Sequence, residues 1–273
     1  MDTHDDIQAI LAHRYDRGWD FWTSPDRRII AGAPFSTLES AGFLLELGMP
    51  ASDPILQSVS ELFFDAWQTD GQFKPYPKGA TYPCMTTECA RLLCQLGYVN
   101  DQRIQKTLSF LLTSQHYDGG WRCNKFYYGH GPETEFSNPL PTLFALDCFR
   151  YTENYQNRPE LTRAIEFLLS HWDTKRPIGP CHYGIGKLFM QVEYPFRGYN
   201  LFQYVYILSF YPAARSDERF KAAFAALKAK TKDEQIIVER VVPKLAKLNF
   251  CKKGEPSILA TKRYQEILTN LVE

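Results

Sequence analysis

Apolar residues recur along this chain with a spacing that predicts repeated helices. In the segment 55–63 they stand at positions i, i+4 and i+7, and the same pattern returns 49 residues later in 104–112. Part of the second copy, 108–112, returns 57 residues later as 165–169, and a fainter copy contains Phe220, Phe224 and Leu227. This period is typical of amphipathic helices that bury one stripe.

Each of these helices follows a more continuously apolar helical segment. The four segments are Thr37–Leu47, Thr86–Leu96, Thr142–Tyr151 and Leu201–Phe210. Gly48 and Gly97 follow the first two, and glycine there supplies the left-handed cap that ends a helix. The repeating unit is therefore a helical hairpin. Because continuously apolar helices are buried and amphipathic helices face solvent, the pattern predicts an inner and an outer layer of helices.

The repeats predict an all-α fold in a single domain, residues 1–273. They lie near 36–73, 85–121, 138–172 and 199–228, with C-terminal closing helices at 233–271. About five hairpins are enough for one ring and too few for two independent cores. Long connections rich in Pro, Gly and aromatic residues separate the repeats, and in repeat proteins such insertions often form the binding face.

The end of the second repeat resembles a known family motif. An apolar run from Phe110 is followed by Gln115 and then by Gly119, Gly120 and Trp121. This is similar to the QW motif of the prenyltransferase and squalene cyclase repeat family. The first repeat has a weaker version, 63–73, which contains Gln68 and ends in Phe73 in place of Trp. The resemblance covers about residues 30 to 230 and implies an α/α toroid, a barrel with inner and outer helix rings around a central cavity.

Physical reasons favour each part of this motif. The glutamine amide is expected to satisfy orphan groups at a helix end, since the last turns of helices leave backbone groups unpaired. The Trp is expected to stack on the next repeat, and the glycine to allow a tight return of the chain.

The residues that define the chemistry of the family are missing from the sequence. Terpene cyclases of this fold protonate their substrate with a D-x-D-D acid, and Asp2, Asp5 and Asp6 have a different spacing. Protein prenyltransferases bind zinc through a D-x-C pair, whereas Asp147 and Cys148 have no residue between them. The resemblance therefore implies a prenyltransferase- or terpene cyclase-like enzyme for an isoprenoid or other apolar substrate, with the reaction type undetermined.

A second hypothesis is a zinc-dependent enzyme. Cys84, Cys123, Cys181 and His182 all fall in the connections between repeats, and three thiolates with one imidazole make a tetrahedral zinc site that activates a thiol or a water. The sequences around Cys123 and Cys181 also resemble the zinc ligands of lanthionine cyclases, with one residue inserted in each. The alternative is that these cysteines are small hydrophobic side chains at loop ends.

The connections also contain candidates for proton transfer and substrate binding. Glu135, Glu193 and His182 are the catalytic candidates, because an acid or base in an aromatic cavity has a shifted pKa. The substrate-binding candidates are Trp121, Arg122, Lys125, Tyr127, Tyr128, Tyr183, Tyr194, Phe196, Arg197 and Tyr199. Their rings would line an apolar wall, and their cations would bind an anionic group such as diphosphate. Alternatively, most of the rings fill the core, and the chain is a non-catalytic toroid that binds a ligand or peptide.

Charge and composition limit the classes of partner and the cellular location that we expect. Lys and Arg number 31, as do Asp and Glu, so nucleic acid is not an expected partner. Seven cysteines without a recognisable signal peptide favour reduced thiols and a cytoplasmic location. No apolar run approaches 18 residues, so no membrane span is expected. Peripheral contact through the basic run 228–232 is an alternative to a solvated helix face. The sequence does not indicate the oligomeric state.

Overall fold

The computed structural model describes residues 3–123, 126–155 and 157–272. Within these ranges the secondary structure is mostly helical, which confirms the predicted all-α class. The helices are α1 (His4–Ala12), α2 (Thr37–Glu46), α3 (Pro54–Asp65), α4 (Pro83–Gln95), α5 (Gln102–Thr113), α6 (Pro139–Phe149), α7 (Pro159–Thr174), α8 (Leu201–Leu208), α9 (Pro212–Arg215), α10 (Glu218–Lys228) and α11 (Ile258–Val272). Two short strands, β1 (Thr231–Lys232) and β2 (Gln235–Ile236), pair antiparallel. No helix in the described ranges is both long enough and apolar enough to cross a membrane.

The chain divides into two compact units. The first comprises Met1–Thr113 and Val242–Phe250, and the second comprises Ser114–Val241 and Cys251–Glu273. The first unit contains α1 to α5, and the second contains α6 to α11. The organisation as a single domain stays a prediction.

The four apolar segments predicted from the sequence form α2, α4, α6 and α8. Two of these helices begin three residues earlier than predicted, at Pro83 and Pro139. Proline is favoured at the first helical position because its missing N–H would have no partner there. The predicted ends are confirmed by Gly48 and Gly97, which have φ of 93° and 90°.

Burial separates the two types of helix as the periodicity predicts. Every residue of α8 and nearly every residue of α6 is buried. The outer type is represented by α5, which buries only the stripe that contains Ile104, Leu108 and Leu111. Each large apolar side chain buried in this way contributes roughly 1.5–3 kcal/mol. In the second unit α6 packs on α7 and α8 packs on α10, so each inner helix has an amphipathic partner.

The motif at 115–121 forms a tight turn anchored on α7. Nε2 of Gln115 donates to the carbonyl oxygens of Gly119 at 2.6 Å and Glu160 at 2.7 Å, while its Oε1 accepts from Arg163 at 2.7 Å. Gly119 has φ of 92°, and a Cβ there would lie 2.5 Å from the carbonyl oxygen of Arg163. The glutamine therefore joins the turn to the start of the next amphipathic helix, α7.

A second copy of this turn lies at 67–73 in the first unit. The amide of Gly71 donates to the carbonyl of Gln68 at 2.9 Å, as the amide of Gly119 donates to the carbonyl of His116 at 2.9 Å. A Cβ on Gly71, whose φ is 93°, would lie 3.1 Å from the carbonyl oxygen of Lys106. Both units therefore use a left-handed glycine pressed against the backbone of an outer helix.

The two turns also correct the alignment read from the sequence. Phe73 and Trp121 occupy equivalent places, because their amides donate at 3.1 Å to Thr86 and Thr142, respectively. In this register Gln68 corresponds to His116, and the position of Gln115 is taken by Trp67. The indole N–H of Trp67 donates to Thr107 on the neighbouring outer helix at 3.2 Å.

Candidate functional site

Three segments that contain most of the predicted site residues pack together in the second unit. We call 126–138, 178–183 and 193–199 the loop cluster. The amide of Tyr128 donates to the carbonyl of Pro180 at 2.7 Å, and the amide of Gly179 donates to the carbonyl of Glu133 at 2.9 Å. The third segment joins through the ring of Tyr199, which lies 5.9 Å from that of Tyr183. Within this unit, the three segments therefore lie together.

A buried amide holds one of the predicted thiols. Asn138 precedes α6 and is fully buried, and its Oδ1 accepts from the amide of Cys181 at 3.0 Å. Its Nδ2 donates to Sγ of Cys181 at 3.4 Å. The next residue, His182, has φ of 58° and an exposed ring with Nδ1 3.8 Å from Oε1 of Glu133. Bonds from neighbouring backbone amides lower the pKa of Glu133, so this carboxyl is an anion beside the imidazole.

The zinc hypothesis gains no geometric support from the described residues. Cys123 is buried and Cys181 is partly exposed in the second unit, while Cys84 stands in the first turn of α4 in the first unit. Across the described ranges, no three His, Cys, Asp or Glu side chains are grouped so that they could hold a metal ion. The zinc site stays a prediction.

The two predicted proton-transfer carboxyls have different surroundings. Glu135 is exposed, with 73% of its side chain accessible, and lies 3.8 Å from Arg122. Arg122 itself donates to the carbonyl of Thr134 at 2.9 Å and stands 5.7 Å from the ring of Tyr127. The aromatic enclosure expected around Glu135 is therefore not found.

Glu193 is the buried carboxyl of the pair. It is 3% exposed, and its Oε2 lies 3.1 Å from Nη2 of Arg240, an ion-pair distance without hydrogen-bond geometry. Burial raises its pKa, and Arg240 and Arg197 offset part of that shift. Glu193 is therefore a carboxyl that holds its proton to higher pH than an exposed glutamate does.

The C-terminal part of the second unit positions this carboxyl. The amides of Glu239 and Arg240 donate to the carbonyl of Val192 at 2.9 and 3.0 Å. The amide of Val192 donates in turn to the carboxylate of Glu239 at 2.7 Å. On the other side of Glu193, the amide of Tyr194 donates to the carbonyl of Arg240 at 3.4 Å, so the ion pair is a consequence of backbone pairing. Sequence periodicity gave no signal for it, since neither segment forms a long helix or strand.

Rings surround the Glu193 segment, but most of them are core. Tyr194 and Phe202 are buried, and the ring of Phe196 lies 5.6 Å from the first and 4.9 Å from the second. Phe196 and Tyr199 keep intermediate exposure. Tyr194 and Trp121 are each 1% exposed, so both rings lie in the core.

The other predicted binding residues lie at the surface or outside the described ranges. Tyr127 and Tyr128 are 53% and 67% exposed, and Arg197 and Tyr183 are partly exposed. Lys125 lies outside the described residues. The rings of Tyr127 and Tyr128 therefore do not form an enclosed wall with the buried rings near Glu193.

Sequence reasoning did not assign a role to His171, which positions a site residue. Its Nε2 lies 3.0 Å from the carbonyl oxygen of Arg176, so Nε2 carries the proton and Nδ1 accepts from the hydroxyl of Tyr199 at 3.0 Å. Burial lowers the pKa of His171 to about 4, against the opposing bonds to Arg176 and Tyr183. The signal in the sequence was a histidine on the apolar stripe that contains Leu168.

Glu88 in the first unit was also missed. Burial raises its pKa to about 7, Arg91 opposes the shift and Glu39 adds to it. The residue keeps intermediate exposure, so its carboxyl lies in a recess and not in a sealed core. The repeat could have revealed it, because Glu39 and Glu88 are 49 residues apart and occupy the same position in α2 and α4.

Comparison with known proteins assigns no family to this geometry. No family model matches the chain, and no curated protein matches it. The resemblance therefore rests on the chain itself, in particular on the two turns at 67–73 and 115–121. The group that this site offers for chemistry is the buried carboxyl of Glu193, which has a raised pKa and lies beside the guanidinium of Arg240.

Proposed function

We propose that this chain is an enzyme of the prenyltransferase and squalene cyclase kind, whose helical hairpins form an α/α toroid that holds an isoprenoid or other apolar substrate. The two equivalent glycine turns support the fold, because they join successive hairpins through the same contacts. The burial of α6 and α8 beside amphipathic partners also supports it. Repeat architectures are stabilised by such contacts between neighbouring repeats.

Glu193 is the proton donor in this proposal. The buried carboxyl gives its proton to one carbon of a substrate double bond, the π electrons form the new C–H bond, and the neighbouring carbon becomes a carbocation. Arg240, 3.1 Å away, stabilises the carboxylate that remains. The observation that carries the proposal is this pairing of a 3% exposed acid with a guanidinium.

The partly exposed rings bind the substrate. Phe196 and Tyr199 lie three and six residues after Glu193 and pack on buried rings, which fixes their orientation. Their faces attract a developing cation, and the apolar surroundings keep water from quenching it. His171 holds Tyr199 by its hydroxyl and is a positioning residue.

Ligand binding tests the proposal. Protein purified without added lipid is extracted with organic solvent and examined by mass spectrometry, and then titrated with farnesol and geranylgeraniol by calorimetry. We expect a bound isoprenoid or measurable binding that Phe196→Ala weakens by about tenfold, as for loss of a large ring contact. Tyr117→Ala, at an exposed ring outside the loop cluster, is the matched control. Absence of both extracted lipid and binding contradicts the proposal.

A further inference from the structure

A cavity lies in the second unit at the C-terminal ends of α6 and α8, away from the loop cluster at their N-terminal ends. Its volume is about 370 Å³. It opens between the C-terminal ends of α6 and α8 and the last turns of α11, and contains no residue of the 193–199 segment. The residues that line it are Arg150, Tyr151, Tyr206, Phe210, Arg263, Glu266, Thr269 and Asn270.

Arg150 is the central feature of this cavity. Its guanidinium lies 4.2 Å from the ring centre of Phe210 and 4.3 Å from that of Tyr151, and its side chain is 12% exposed. Nε pairs with the buried carboxylate of Asp147, and Nη2 donates to the hydroxyl of Tyr151 at 2.6 Å. These two interactions use Nε and Nη2 and not Nη1. Nη1 is therefore left for a ligand.

The charged side chains of the walls form two ion pairs and have no net charge. Asp147 balances Arg150, and Glu266 balances Arg263 through bonds of 2.8 and 2.9 Å. Burial opposes the charge on Arg150, but the interactions with Asp147, Tyr151 and Tyr206 outweigh it and raise its pKa. The guanidinium is therefore always charged, yet no excess of cations exists to neutralise a dianion.

The shape and the rings favour a flat ligand. A guanidinium that stacks on rings presents its N–H edge in one plane, which matches a carboxylate. Tyr206 and Phe210, whose ring centres are 5.3 Å apart, supply aromatic wall beside that edge. The volume is at the lower end of the roughly 300–1,000 Å³ seen for ligand pockets, so it suits a compound of one or two rings.

We propose that this cavity binds a small planar aromatic carboxylate, with the carboxylate on Arg150 and the ring against Tyr206 and Phe210. Thr269 and Asn270 on α11 complete the polar side of the cavity. The site does not depend on the function proposed for Glu193, since the two share no residue.

Calorimetric titration with 2-naphthoate and its neutral isostere 2-naphthamide tests this proposal. We expect 2-naphthoate to bind, and 2-naphthamide and the Arg150→Gln variant each to weaken binding by about tenfold or more, the usual effect of losing a charged hydrogen bond. Arg158→Gln, at an exposed arginine paired with Glu160, is expected to bind like the wild type. Equal affinity for the two compounds, or no binding of 2-naphthoate at about 1 mM, overturns the proposal.

A second variant covers the case in which Arg150→Gln does not fold. Thr269 lies on the wall of the cavity in the exposed C-terminal part of α11, so Thr269→Trp fills the cavity without removing a buried charge. We expect this variant to fold and to lose 2-naphthoate binding. Unchanged binding by Thr269→Trp shows that the compound sits elsewhere and overturns the proposal.

Discussion

The carboxyl of Glu193, a residue that is 3% exposed, lies 3.1 Å from the guanidinium of Arg240. Burial favours the neutral acid, and the guanidinium favours the carboxylate. Burial dominates, so the pKa of Glu193 is raised. The pair can therefore exist as acid beside cation before a proton is given up, and as an ion pair afterwards.

This balance predicts a pH-dependent stability. Because the pKa of Glu193 is higher in the folded chain than in the unfolded one, its stabilising effect is complete at low pH and is lost as pH rises through the folded pKa. We expect the free energy of unfolding of the wild type, measured with urea, to fall relative to Glu193→Gln as pH increases from about 4, the usual glutamate pKa, through the raised folded pKa. In Arg240→Gln the fall should move to higher pH. Parallel profiles for wild type and Glu193→Gln would contradict the assignment.

The glycine turns predict a graded series of substitutions. Gly48, Gly71 and Gly119 all have φ near 90°, but an added Cβ meets nothing within 4 Å at Gly48 and the carbonyl oxygen of Arg163 at 2.5 Å at Gly119. Gly48→Ala therefore carries only the backbone cost of about 1 kcal/mol. We expect about 2 kcal/mol for Gly71→Ala and about 3 kcal/mol for Gly119→Ala. Chemical denaturation measures the series, and equal losses at Gly48 and Gly119 would show that the turn does not press on α7.

Glu88 predicts a second pH effect, in the first unit. Its pKa is raised from 4.5 to about 7, so the folded chain is stabilised by the protonated form at low pH and loses this as pH rises through about 7. Relative to Glu88→Gln, the free energy of unfolding of the wild type should fall by up to about 3 kcal/mol between pH 4.5 and about 7. Glu39→Gln removes a charge that raises this pKa and should shift the loss to lower pH. If the free energy of unfolding of the wild type equals that of Glu88→Gln at every pH, the raised pKa of Glu88 is contradicted.

His171 predicts acid sensitivity of the opposite sign. Its pKa is lowered from 6.5 to about 4, so the stability it contributes is present above pH 6.5 and is lost as pH falls through about 4. Relative to His171→Gln, the free energy of unfolding of the wild type should fall by up to about 3 kcal/mol as pH decreases over this range. Tyr199→Phe removes only the hydroxyl on Nδ1, so it should cost about 1 kcal/mol and keep the acid sensitivity. Retention of that sensitivity in His171→Gln would assign it to another group.

The helices were predictable because their signals are local. Leu47–Gly48 and Leu96–Gly97 mark ends of inner helices by sequence alone, and the i, i+4, i+7 spacing marks α5 and α7. The register of the first turn was misread by one residue, because Gln68 imitates Gln115 in sequence while Trp67 takes its place in space. The hydrogen bonds that a side chain makes, and not its residue type, therefore show which residue is equivalent to Gln115.

The site was less predictable because it depends on pairing between distant segments. Glu135 and Glu193 look alike in sequence, both in aromatic surroundings, yet one is exposed and the other buried. The difference comes from Arg240 and Val192, which meet through backbone bonds in irregular structure. Hydrophobic periodicity does not reveal such bonds. The sequence could therefore name Glu135 and Glu193 as candidates, but it could not show which of the two is buried.

Deuterium incorporation tests the proton transfer from Glu193 most directly. The protein is incubated in D2O with a panel of isoprenoid alkenes and diphosphates, and products are analysed by mass spectrometry. We predict a product with one non-exchangeable deuterium on carbon for wild type and for Glu135→Gln, whose exposed carboxyl is not involved, and none for Glu193→Gln with ligand binding retained. Deuterated product from Glu193→Gln at the wild-type rate, or no deuterated product from wild type with any isoprenoid that it binds, would contradict the account.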